Sequence, residues 1–126
     1  MLHSLIAIAA GATLGAWCRW ALGLWLNPHG GPIPLGTLAA NLLGGYAVGL
    51  TLAWLDAHPS LPPQWRLFVV TGLLGGLTTF STFSAETVQL IVRQQYVWAL
   101  VAVAGHVLGS FAMTVAGFIT VRVVRG

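Results

Sequence analysis

The chain is 126 residues long, 57% hydrophobic and only 6% charged, with a net charge of +3 and a mean hydropathy of +0.87. Soluble domains carry about 25% charged residues, and a chain so poor in charge has nothing with which to cover a water-facing surface, so it is read as an integral membrane protein. The single cysteine, Cys18, excludes an intramolecular disulfide and is read as a small packing residue.

Four apolar runs follow one another, at residues 4–26, 33–55, 67–92 and 97–121. Each exceeds the roughly 18–20 residues needed to cross a hydrocarbon core. The breaks between them are short and polar: NPHGGP (27–32), DAHPSLPPQ (56–64) and RQQY (93–96). Every proline falls in or beside a break, where a residue that terminates helices belongs. Residues 1–126 are therefore expected to form one all-α domain of four transmembrane helices, with no soluble module. The first run is too long for the apolar core of a cleaved signal, and Trp17 is too bulky to precede a lipoprotein cysteine, so it is read as a span.

Arg19 is the only charge in the first span, and its long side chain is expected to snorkel towards the span end near Leu26. The second span holds Asn41, an amide within TLAANLLGG. Polar side chains at this depth face the bundle or a water-filled path. Each span also carries a small-xxx-small pair: Gly11/Gly15, Gly45/Gly49, Gly72/Gly76 and Gly105/Gly109. That spacing lets helix backbones approach closely.

The third span is unusual. Residues 65–93 as one straight helix would run about 43 Å, against a core of about 30 Å. Its middle reads GGLTTFSTFS (75–84). One reading is an interruption at Gly75 and Gly76, freeing backbone carbonyls that must then be met by protein, water or an ion. The other is a tilted continuous helix that uses glycine for close packing. Phe80 and Phe83, three apart, share a helix face, and a ring edge carries the positive end of an aromatic quadrupole. Glu86 is the only acid within a span.

The fourth span stacks His106, Ser110 and Thr114 on one face at a spacing of four. These hydroxyls either donate into the bundle or bond back to their own helix. Orientation signals are weak. Arg66, Arg122 and Arg125 fall on one side, and Arg93 with Arg19 on the other, a bias of three against two under the positive-inside rule. Four helices leave little room for a lumen once side chains fill it, so transport would favour an oligomer.

No nucleophile, base and orienting group can be assembled, so an enzyme is not expected. No set of His, Cys and Glu has metal-ligand spacing, and no nucleic-acid partner is expected. Neutral hydroxyls, an amide and ring edges suit passage of a small anion, with donors enough to replace water and none strong enough to trap it. Two other classes stay open: a small dimeric proton-coupled drug exporter working through Glu86, and an assembly subunit of a larger membrane complex.

GATLGAWCRW (11–20), GTLAANLLGG (36–45) and GGLTTFSTFS followed by Glu86 resemble the signature blocks of the Fluc/CrcB family of bacterial fluoride channels. The resemblance spans the whole chain. It implies a passive fluoride exporter of the bacterial inner membrane and a dual-topology homodimer of antiparallel subunits. It also implies two fluoride pathways and a central sodium ion as structural cofactor. By position, it implies that Phe80 and Phe83 line the pathway and that Asn41 orients a ring or donates to the ion. Ser110 and Thr114 would form a polar track, with His106 leading into it. Arg19 would lie near an aqueous vestibule, and the carbonyls of Gly75 and Thr78 would hold sodium.

Overall fold

A computed structural model of the chain covers residues 1–126 and is entirely helical. Helix α1 spans Leu2–Leu26 and runs into a single 3-10 turn at Asn27–His29. Gly31 then turns the chain with φ +58°. Helix α2 spans Leu35–Asp56, and its open N-terminus is tied back to α1 because the Gly36 amide donates to Asn27 Oδ1 at 2.7 Å. The third span, Pro63–Val92, is built of two helices: α3 over residues 63–77 and α4 over Phe80–Val92. Helix α5 spans Tyr96–Arg125, with Arg122 and Arg125 in its last turn, where cations complement the helix dipole. Four spans are thus long and apolar enough to cross a membrane, and the chain is a multi-pass membrane protein.

Helix α3 starts on Pro63, a residue suited to the first helical turn. Over Leu67–Leu74 it widens into a π-helix, a form that proteins use sparingly and often near functional sites. The break itself lies at Thr78 and Thr79, whose backbones are extended at φ −81°, ψ 153° and φ −153°, ψ 112°. Gly75 keeps right-handed helical angles, which corrects the expectation of an interruption at the glycine pair. The glycines serve packing instead: a methyl at Gly76 would lie 2.5 Å from the Ala12 carbonyl oxygen.

Two glycine-lined helix pairs make the subunit. In the first, α1 lies on α3, and a side chain at Gly11 or Gly15 would sit 2.7 Å from the amide nitrogen of Leu73 or Leu77. In the second, α2 lies on α5, where Gly45 and Gly49 face Ser110, Thr114 and Gly117. Of the four expected pairs, Gly105/Gly109 behaves differently. Its neighbours are only the side-chain ends of Leu38 and Leu42, and Gly117, against Gly49, takes the backbone contact.

Few side chains are deeply buried. Only 20 of 126 residues fall in the buried class, and no large side chain is fully enclosed. The folded interior is therefore mostly backbone against backbone, while Leu, Val and Trp side chains face outward, as a lipid solvent permits. Between α4 and α5 the chain turns at Gln94, with φ +59°. The Gln94 and Gln95 amides donate to Ile91 and Leu90 carbonyls, which closes the end of α4.

Candidate functional site

The break in the third span creates the site. Thr78 ends α3 by sending both its amide and its hydroxyl to the Leu74 carbonyl, at 3.0 and 2.8 Å. Thr79 starts α4 as its N-cap: its hydroxyl oxygen accepts from the Thr82 amide at 3.2 Å and donates to Thr82 Oγ1 at 3.0 Å. An N-cap hydroxyl satisfies a donor that the helix start leaves free. The two extended threonines then leave one peptide edge, the N–H and C=O of Thr79, with no helical partner.

Asn41 on α2 supplies that partner. The Thr79 amide donates to Asn41 Oδ1 at 2.7 Å, and Asn41 Nδ2 donates back to the Thr79 carbonyl at 3.0 Å. The side-chain amide thus replaces one rung of backbone pairing, which keeps the break inside the membrane from leaving unmet polar groups. Asn41 Nδ2 also lies 2.9 Å from His106 Nδ1 on α5. Three elements meet at one amide.

The break frees carbonyls, those of Gly75 and Thr78 among them. In an unbroken helix Gly75 and Thr78 would accept from the amides of Thr79 and Thr82. Those amides are engaged by Asn41 Oδ1 and Thr79 Oγ1. Gly76, next to them, accepts from Arg19 Nε at 3.1 Å. Arg19 also lines a small cavity with Gly23, Leu24 and Asn27, on the side of the Leu26 end of α1.

A groove of about 460 Å³ opens beside the break. Asn41, Phe80, Phe83, His106, Ser110 and Thr114 all line it. Phe83 is buried and stacks on the His106 ring, with centroids 4.5 Å apart and planes at 30°. Phe80 meets Phe83 edge-on at 5.5 Å and is 77% exposed. The Thr114 hydroxyl donates to the carbonyls of Gly45 and Ser110, both at 3.0 Å, so its hydrogen is engaged by backbone.

On the other side of α4, Thr37 donates to Glu86 Oε1 at 2.6 Å. Arg19, Thr82 and Asn27 line the same small cavity of about 330 Å³. The pairing of Thr37 with Glu86 and the capping by Thr79 were not anticipated. Thr37 lies one helical turn before Asn41, so the two share a face of α2, which was the available signal.

These features define a small multi-pass membrane protein in which a broken helix frames a groove of uncharged hydrogen-bonding groups and aromatic rings. A family model described as "CrcB-like protein, Camphor Resistance (CrcB)" matches residues 6–118. The chain is 56% identical over 124 residues to a protein of Pseudomonas syringae pv. maculicola, covering 98% of each chain. It is 55% identical over 121 residues to one of Nitrosospira multiformis, covering 96% of this chain and 94% of the relative. A third, from Pseudomonas putida (strain W619), is 55% identical over 126 residues, covering 100% and 99%. All three bear the name fluoride-specific ion channel FluC. The chain belongs to the CrcB family.

Proposed function

We propose that this chain is a fluoride-specific ion channel, a passive exporter in the bacterial cytoplasmic membrane. The observation that carries the reading is the groove: its polar lining is His106, Asn41 and hydroxyls, its aromatic lining is Phe80, Phe83 and Phe111, and no arginine or acid lines it. A small anion that must shed water needs donors, while a full positive charge would hold it too tightly to leave. The names of relatives at 55–56% identity support the same conclusion. An interior-negative potential drives an anion outward by about 2.3 kcal/mol per charge per 100 mV, so the task requires no energy-coupling site and no catalysis.

The working unit is an antiparallel dual-topology homodimer with two pathways. Two features support a second copy. Phe80 is largely uncovered in the single chain, so the groove lacks a wall. Thr71, Ser81 and Ser84 are also exposed along the third span, where lipid offers hydroxyls no partner. The weak arginine asymmetry is compatible with insertion both ways.

A central sodium ion fits the donor set at the break. The carbonyls of Gly75 and Thr78 are freed from their helical amides, and Gly75 lies at the subunit surface. Alkali cations favour such neutral oxygens, and two subunits would supply two pairs. When bound, the ion supplies positive charge that neutralises the carbonyl dipoles of the break.

The test is a fluoride-electrode efflux assay on proteoliposomes, with chloride as control. Rapid fluoride release with no chloride release is expected, and absence of fluoride release refutes the reading. Purification with sodium replaced throughout by N-methylglucamine should weaken the dimer; an unchanged dimer removes the sodium assignment but not the channel.

A further inference from the structure

The Asn41 amide has one acceptor and two hydrogens, and the structure accounts for all three. Oδ1 accepts from the Thr79 amide at 2.7 Å. One Nδ2 hydrogen goes to the Thr79 carbonyl at 3.0 Å, and the other points to His106 Nδ1 at 2.9 Å. Rotating the amide by half a turn would set its NH₂ against the Thr79 N–H and its oxygen against the Thr79 carbonyl. Both pairs would be repulsive, so the exposed peptide edge of the break locks the amide in one orientation.

The lock passes to the histidine. An amide nitrogen has no lone pair to offer, so His106 Nδ1 must be the acceptor in that bond. In a neutral imidazole, a ring nitrogen that accepts leaves the proton on the other one. The proton is therefore on Nε2. That atom is buried and is the one enclosed side-chain polar atom without a hydrogen-bond partner, in a residue only 4% exposed. An unmet buried donor costs roughly 1–3 kcal/mol and calls for an explanation. His106 lines the groove, and its ring lies against Phe83.

We propose that Asn41 is a positioning residue that holds His106 in the Nε2–H tautomer, and that this N–H, rather than the Asn41 amide, is the donor that a dehydrated fluoride ion meets beside Phe83. The inference deepens the fluoride-channel reading and rests on it. The helix break is then more than a source of free carbonyls: through Thr79 and Asn41 it decides which imidazole nitrogen presents a hydrogen.

The experiment uses the full-length protein in liposomes. His3, His29 and His58 are exposed, so a His3→Gln/His29→Gln/His58→Gln variant leaves His106 as the single histidine for ¹⁵N solid-state NMR in the alkaline range where imidazole is neutral. The expected spectrum has a protonated Nε2 and a bare Nδ1, and Asn41→Leu in the same background should give a mixture of tautomers. His106→Phe keeps a ring to stack on Phe83 but has no donor. It should lower fluoride efflux about ten- to a hundredfold, the equivalent of one lost hydrogen bond to a charged group, while the triple variant conducts like the parent. A protonated Nδ1 in the triple variant overturns the proposal, whether or not Asn41→Leu folds. So does His106→Phe efflux at the parental rate from a protein that still elutes as the parent does. In both cases the parent still passes fluoride; a parent that does not refutes the channel reading itself.

Discussion

Phe80 and Phe83 show how two identical side chains three residues apart acquire different duties. Phe83 is enclosed and held on both faces of its role, stacked on His106 and met edge-on by Phe80. Phe80 is anchored within the subunit mainly by that edge contact and is otherwise uncovered. Replacing either by isoleucine removes the positive ring edge while keeping an apolar volume. Each change is expected to cut fluoride efflux about tenfold or more, which is ~1.4 kcal/mol on the barrier. The two should separate in stability. Phe83→Ile loses two aromatic contacts, with His106 and with Phe80, each worth about 0.5–1.5 kcal/mol, whereas Phe80→Ile loses only the second and should melt closer to the parent. Efflux and thermal unfolding measured on the same preparations check both halves; parental efflux in both variants would sink the ring-edge role. At this scale the sequence was informative about which residues gather, because spacings of three and four put side chains on common faces. It was silent on which hydrogen goes where. That Thr114 bonds to backbone, or that Thr37 meets Glu86 across 49 residues, depends on the register between helices, which no single helix encodes.

Between helices, glycine does the work usually given to interdigitating side chains. The α2–α5 contact is close enough that a side chain on Gly49 would collide with the Thr114 carbonyl and lie 3.1 Å from Gly117 Cα. Backbone cannot move aside as a flexible side chain can, so overpacking here should cost at least the roughly 1–3 kcal/mol typical of well-packed sites. Gly49→Val is expected to lose the folded species on size-exclusion chromatography. Gly105→Ala is the contrasting case, because its methyl would meet Leu38 Cδ1 at an ordinary 3.7 Å, and it should elute and conduct like the parent. Equal tolerance of both changes would show that the two helices do not pack through this seam. The spacing motif alone could not distinguish the pairs, since it marks a face without saying what lies opposite. Hydropathy and proline placement, by contrast, located all four spans, because both respond to the solvent rather than to a neighbour. For the third span, excess length and the glycine pair left two readings open, an interruption and a tilted continuous helix, and the structure takes the first. The position of the break was not legible: glycine's flexibility drew the expectation to Gly75 and Gly76, whereas the extended pair is Thr78 and Thr79, where Asn41 can complete the pairing.

At the scale of the whole molecule, the proposed second copy would cover the open side of the groove and the exposed hydroxyl face, and its orientation is the decisive question. A parallel pair would place its twofold axis along the membrane normal and put both sets of end arginines on one side. An antiparallel pair places the axis in the membrane plane and makes the two mouths equivalent. The distinction can be read without a structure of the assembly. In a Cys18→Ser background, Ser60→Cys puts one thiol in the exposed 57–62 connection, on the same side as both termini. Reconstituted vesicles are treated with a membrane-impermeant maleimide, then dissolved, and the labels on each intact dimer are counted by native mass spectrometry. Random insertion does not blur the outcome, because counting is per dimer. Antiparallel dimers each carry one label whichever way they entered the bilayer. Parallel dimers carry two or none, in proportion to their orientation. A dominant one-label species is expected. A spectrum of zero and two would end the antiparallel arrangement, and with it the claim that Gly75 and Thr78 carbonyls from opposed subunits face one another across a shared ion.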